Sequence, residues 1–188
     1  MASFDRVVLI FNPNSTGDAE AKAHDLAKEL SARAPELLVE LVATQHAGHA
    51  RDLARDAAAN GRPLVISVSG DGGYNEVVDG AMRAGNDKAT CAVLAAGNAN
   101  DHRRTTREQP LADAIVSGKV SRIDLLQLTV DGTSRYAHSY NGLGLTPVVA
   151  LELEKGGKVS LREPVPTVRA LARFRRFDVR QPARPGAG

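Results

Sequence analysis

Three short polar segments hold the hydroxyls, amides, carboxylates and glycines with which this chain can bind an anion. They are Asn12-Pro13-Asn14-Ser15-Thr16-Gly17, Ser69-Gly70-Asp71-Gly72-Gly73-Tyr74-Asn75-Glu76 and Ala96-Gly97-Asn98-Ala99-Asn100-Asp101. Glycines let backbone N–H groups close on a phosphate without a Cβ in the way, and a helix N-terminus adds favourable charge. A carboxylate in such a turn, here Asp71, either hydrogen-bonds the loop into shape or meets Mg²⁺ together with phosphates; it is also an ordinary turn residue. Asn75 and Glu76 either cap N–H groups or reach the ligand. Taken alone, the first segment is equally a plain turn of Pro, Asn, Ser and Gly. The chain has neither a G-x-x-x-x-G-K loop nor a G-x-S-x-G elbow. His46 and His49 have no carboxylate or cysteine at ligand spacing and read as surface or helix-start residues.

Position follows from the alternation of apolar runs with longer Ala-rich stretches. Strands are expected over Arg6–Phe11, Leu37–Ala43, Leu64–Val68 and Thr90–Ala95, and helices over Ala19–Ala34, Ala47–Asn60, Tyr74–Ala84 and Leu111–Ser117. Apolar strands separated by helices imply a parallel sheet covered on both faces, whose ligands bind at the carboxyl ends of the strands. The loops after the first, third and fourth strands are therefore the expected cleft. A boundary is expected near Lys119, giving an α/β domain over 1–120 and a partial β-rich domain over 121–188. Arg122–Val130 and Arg135–Tyr140 around Asp131-Gly132-Thr133 read as a hairpin of that second unit. Thr146–Glu154 and Pro164–Phe174 read as helices and Phe177–Arg180 as a strand.

Composition narrows the functional classes. With 188 residues, 43% hydrophobic, 24% charged and a net charge of +2, the chain has the make-up of a globular protein. Its longest apolar runs, Val7–Phe11 and Cys91–Ala96, fall far short of the roughly 20 residues of a membrane span. No secretory leader is expected at the N-terminus. The single cysteine, Cys91, excludes an internal disulfide, reads as a buried strand thiol, and fits a reducing cytoplasm. The absence of Trp and the few Tyr and Phe argue against nucleic acid as a partner. Charge is lopsided, about −5 over residues 1–154 and +7 over 155–188. Within the tail, Val165, Val168, Leu171, Ala172 and Phe174 recur at helical spacing, with Arg169, Arg173, Arg176 and Arg180 near the other face. Such a helix either packs on a neighbouring domain with its charges solvated or makes peripheral contact with an anionic membrane.

The loops resemble the catalytic domain of diacylglycerol kinase-like lipid kinases, the family of the sphingosine kinases, with NAD kinases more distant. The family pattern N-P-x-S-G, G-G-D-G-T-x-N-E-V and G-T-x-N-D stands here as Asn12 to Gly17, Ser69 to Val77 and Gly97 to Asp101, in order and at matching spacing over about residues 5 to 145. The resemblance implies a flavodoxin- or Rossmann-like α/β domain followed by the start of a β-sandwich. It also implies transfer of the ATP γ-phosphate, with Mg²⁺, to a lipid hydroxyl such as that of diacylglycerol. It would place Asn12, Ser15, Gly17 and Thr44 near the nucleotide, Gly70, Asp71, Gly72, Gly73, Asn75 and Glu76 around the phosphates, and Gly97, Asn98, Asn100 and Asp101 in the last loop. The family's acidic general base and structural magnesium site would follow Gly188, so this chain is expected to bind nucleotide better than it phosphorylates lipid. Three positions depart from the pattern: Ser69 replaces a glycine, and Gly73 and Asn98 each replace a threonine. A positive φ at Ser69 would cost about 1 kcal/mol, and the hydroxyl missing at Gly73 about as much. These departures keep a non-catalytic nucleotide-binding or regulatory protein open as an alternative. An NAD kinase-like enzyme is a further one, against which the position of Asn75-Glu76 speaks. Exposed strand edges in an incomplete sandwich would favour homo-oligomers.

Overall fold

The computed structural model describes residues 4–15, 17–96, 109–130 and 132–138. All of them fall in one compact unit spanning residues 1–140. The expected segments 146–154, 164–174 and 177–180 lie outside the described residues. Strand β1 (Arg6–Phe11) leads to helix α1 (Ala19–Arg33), β2 (Leu38–Ala43), α2 (His49–Ala58), β3 (Pro63–Ser69), α3 (Asp71–Arg83), β4 (Thr90–Ala95) and α4 (Leu111–Ser117). A hairpin of β5 (Leu126–Val130) and β6 (Thr133–Ala137) follows. The first four strands form a parallel sheet in the order β2-β1-β3-β4, as an α/β reading of the sequence requires.

Strand periodicity explains why both faces of this sheet are dry. Val7, Leu9 and Phe11 of β1 point to one face, where they pack with Leu64, Ile66 and Val68 of β3, with Ala23, Leu26 and Leu30 of α1, and with Leu111 and Ile115 of α4. Val8 and Ile10 point to the other, against Val65, Ala54 and Ala58 of α2 and Val77 and Ala81 of α3. Helices α2 and α3 run close together because residue 80 is glycine; a Cβ there would run into the Arg51 carbonyl. No helix among the described residues is long and apolar enough to cross a membrane.

Element boundaries differ from expectation where glycine sets them. Helix α2 begins at His49, two residues late, because Gly48 precedes it with φ +81°. Helix α3 begins at Asp71, three residues early, so Gly72 and Gly73 belong to its first turn and not to a loop. The hairpin is tighter than the sequence suggested: Val130 pairs with Thr133, and Gly132 just before the second strand takes φ +75°. Thr133 is therefore a strand residue, while Arg122 to Leu125 are in neither helix nor strand.

The hairpin is tied to α3 by Asp79, which is 2% exposed. Its carboxylate accepts from Arg51 Nε at 2.6 Å and from the Tyr136 N–H at 3.0 Å, and pairs with Arg83 at 3.3 Å and Arg135 at 3.4 Å. Arg83 Nη2 also donates to the Ser134 carbonyl. Burial alone would raise the Asp79 pKa; the Tyr136 N–H and the Arg83 and Arg51 guanidiniums outweigh it and hold the carboxyl below its usual 3.8. Because the folded pKa is the lower one, Asp79 contributes stability that is complete above about pH 4 and is lost as pH falls through the folded value. Asp79→Ala removes the acceptor of these half-exposed arginines and of the Tyr136 N–H and is expected to cost about 2 kcal/mol in urea unfolding at pH 7. The same variant should show a flatter acid limb than the parent below pH 4.

Candidate functional site

Strand order places the site. Since β1 lies between β2 and β3, the connections leaving β1 and β3 diverge to opposite sides of the sheet and open a crevice at their carboxyl ends. The crevice has a volume of about 460 Å³. The β1–α1 loop lines it with Asn12, Asn14 and Ser15, and the β2–α2 loop with Thr44, Gln45, His46, Ala47 and Gly48. Ser67, Ser69, Gly70, Gly73 and Glu76 come from the end of β3 and the start of α3, and Ala96 from the end of β4.

Local hydrogen bonds shape each wall. Asn12 Oδ1 accepts from the Asn14 N–H at 2.9 Å and the Asn12 carbonyl accepts from the Ser15 N–H at 3.1 Å, an Asx-type turn that folds the first loop back on itself. The Thr44 N–H donates to the Phe11 carbonyl at 2.8 Å, which carries the β1–β2 pairing one residue past the strands. His49 Nδ1 accepts from the Gln45 N–H at 3.1 Å, and its ring stacks on His46 with centroids 4.6 Å apart. Both histidines thus order the start of α2. Gly17 meets the end of β4 backbone to backbone: a Cβ at Gly17 would run into the Ala96 carbonyl. Lys22 Nζ reinforces that junction by donating to the Ala95 carbonyl at 3.1 Å.

The start of α3 aims at the crevice. No side chain caps it, and the first-turn N–H groups of a helix have no intrahelical carbonyl, so the Gly73 edge offers donors and the positive end of the helix dipole. Among the described residues, Ser15 Oγ is buried at the crevice with no hydrogen-bond partner. Glu76 is the one carboxylate lining the crevice among the described residues. This combination of small residues, hydroxyls, amides and a helix N-terminus suits a phosphate-bearing ligand.

The expected site residues separate into three groups. Asn12, Ser15, Thr44, Gly70, Gly73 and Glu76 line the crevice together. Gly17, Asp71, Gly72 and Asn75 do not line it. Gly97, Asn98, Asn100 and Asp101 lie outside the described residues. Asp71 is 7% exposed and sits beside His138, while Asn75 Oδ1 accepts from the His138 N–H at 3.0 Å. The Tyr74 ring lies against the His138 ring with centroids 4.6 Å apart. Gly72 points to open space. Ser69 has an ordinary strand conformation, so the φ > 0 penalty feared for a serine there does not arise. Sequence reasoning passed over Ser67, Gln45 and His138; an alternating β-strand pattern could have paired Ser67 with Ser69 on one face.

Elsewhere, a groove of about 570 Å³ runs along β4, between α3 and residues 119–125. Cys91 lies on it, half-buried, and burial pushes its thiol up to about 12. Among the described residues no group of three or more His, Cys, Asp or Glu side chains is arranged to hold a metal.

His138 supplies a pH handle on the hairpin end of this region. Burial lowers its pKa below 6.5, against the opposing charge and backbone of Asp71. The unfolded chain therefore takes up the proton first as pH falls below 6.5, and the folded state loses stability over that interval. Unfolding followed between pH 7.5 and 5.5 should show this loss in the parent and a flatter profile in His138→Gln.

Comparison with known proteins bears on what the crevice serves. Residues 6–128 match the model of the diacylglycerol kinase catalytic domain. A Pseudomonas aeruginosa protein named "Probable lipid kinase YegS-like" is 32% identical over 124 residues, which is 64% of this chain and 39% of that protein. A Bacillus subtilis diacylglycerol kinase is 37% identical over 91 residues, covering 46% of this chain and 30% of that one. The crystal structure of a diacylglycerol kinase from Bacillus anthracis Sterne superposes with a TM-score of 0.57 at 26% identity, over 71% of this chain and 46% of the other. The chain thus spans about two-fifths of the length of the Pseudomonas relative.

Proposed function

Because the chain belongs to the diacylglycerol kinase catalytic domain family, we propose that it forms the nucleotide-binding part of an ATP-dependent lipid kinase. The reaction is transfer of the γ-phosphate to a lipid hydroxyl, with diacylglycerol as the representative acceptor. The observation that carries this reading is the crevice at the carboxyl ends of β1, β2 and β3, which gathers Asn12, Ser15, Thr44, Gly70 and Gly73 at a helix N-terminus. Phosphoryl transfer asks little covalent work of a protein; it asks that phosphates be positioned and their charge neutralised.

The residues present fit ATP and Mg²⁺. A buried Ser15 hydroxyl without a partner among the described residues is suited to donate to a phosphate oxygen, and Asn12 on the same loop and Thr44 on the β2–α2 loop add neutral donors. Mg²⁺ is commonly held by one or two carboxylates together with the phosphates themselves, and Glu76 is placed to be such a carboxylate. When bound, the ion neutralises developing charge on the phosphates. We further read 121–188 as a second, β-rich region that carries the lipid end, its β5–β6 hairpin packed on α3 within the compact unit over 1–140, with peripheral membrane contact through the basic segment after residue 155.

Calorimetric titration with ATP tests the first half of this reading. Saturable binding strengthened by Mg²⁺ is expected, and Asn12→Ala and Thr44→Val should each weaken it roughly ten- to a hundredfold, the range of one lost hydrogen bond to a charged group. Unchanged affinity in both variants would remove the crevice from consideration. Transfer of label from γ-labelled ATP to diacylglycerol in mixed micelles tests the acceptor.

A further inference from the structure

The crevice holds a pair of hydroxyls, Ser67 buried and Ser69 half-buried, that explains two departures from the family pattern at once. Ser67 is 2% exposed, and its Oγ lies 2.6 Å from Ser69 Oγ. Ser69 Oγ in turn donates to the Gly70 carbonyl at 2.9 Å. A hydroxyl carries one proton, so with Ser69 donating forward, Ser67 is the donor between them. A Cβ added at Gly73 would stand 2.6 Å from Ser69 Oγ and 2.7 Å from Ser69 Cβ, well inside contact distance. Ser69 therefore occupies the space that a side chain at position 73 would need.

We propose that Ser69 and Gly73 are a coupled exchange. The hydroxyl that the family pattern supplies from a threonine at 73 is supplied here by Ser69, with Ser67 behind it as a positioning residue. Ser69 then contacts the phosphate chain of the nucleotide. With Ser67 donating into Ser69 Oγ, the Ser69 proton is the one left to offer, and it turns from the Gly70 carbonyl to a phosphate oxygen when the ligand arrives. No covalent step is involved. The inference rests on the nucleotide reading of the crevice, and it assigns a specific hydroxyl within it.

The test is a double-mutant cycle read by ATP titration and by thermal unfolding. Ser69→Ala keeps the Cβ but removes the hydroxyl and should weaken ATP binding about tenfold with little change in melting temperature. Gly73→Thr alone should lower both melting temperature and affinity, because the new side chain meets Ser69. Ser69→Gly with Gly73→Thr should restore both toward the parent, since the space is vacated and the hydroxyl returns from the other side. Ser67→Ala should weaken binding less than Ser69→Ala. Parent binding that Ser69→Ala leaves unchanged would overturn the inference while the nucleotide reading stands, as would a double variant no better than Gly73→Thr alone. A parent that binds no ATP would overturn both.

Discussion

The parallel pairing of β1 with β2 on one side and β3 on the other is the constraint from which the rest follows. A strand buried on both faces must be apolar throughout, and Val7 to Phe11 are 0–6% exposed. Its chain can turn polar only at the carboxyl end, where Asn12 begins the first loop. The same holds for β3, whose buried run ends in Ser67, Val68 and Ser69. Connections that part at this point leave a gap between two polar strand ends, and the crevice is that gap. Close backbone contacts keep it in shape: Gly17 against Ala96 on one side of the sheet, and Gly80 against Arg51 on the other.

A second organising contact lies on the far side of α3. Asp79 is one turn beyond Asn75 on the same helix, and the two side chains both engage β6 or the residue after it, Asp79 at the Tyr136 N–H and Asn75 at the His138 N–H. Helix α3 therefore offers its N-terminus to the crevice and, through side chains further along, holds the hairpin. Disturbance of the hairpin and of the crevice-facing turn would reach each other through a single helix. Asp71 sits at the junction, buried beside His138 while its neighbour Gly73 faces the crevice.

Much of this was legible in the residues and some was not, for physical reasons. Strands β1 and β4 and the helix over 111–117 fall where apolar runs and spacing place them to the residue; Asp5 and Asn12 bound the first, and Pro110 and Gly118 bound the last. Helix α3 starts earlier than read, since paired glycines look like a loop in a sequence yet fit a first turn that has few internal hydrogen bonds to lose. Residues 122–125 alternate like a strand, but among the described residues the β5–β6 ladder begins at Leu126 opposite Ala137, and 122–125 are irregular. The loops at the carboxyl ends of the strands were legible as a site because topology confines ligands there. The inward turn of Asp71 was not, since it depends on His138, more than sixty residues away. Ser69 read as a defect in a pattern because sequence comparison sees one position at a time, whereas the steric exclusion between Ser69 and Gly73 exists only in space.

The central claim is that the ligand of this domain sits in the crevice at the ends of β1, β2 and β3 and not in the groove along β4. Hydrogen–deuterium exchange of the chain with and without saturating Mg-ATP tests it directly. The account predicts protection concentrated in peptides covering 12–17, 44–50 and 69–76, with little change over 86–93 and 119–125. Protection confined to the latter peptides, or none in the former under conditions where ATP is shown to bind, would contradict it.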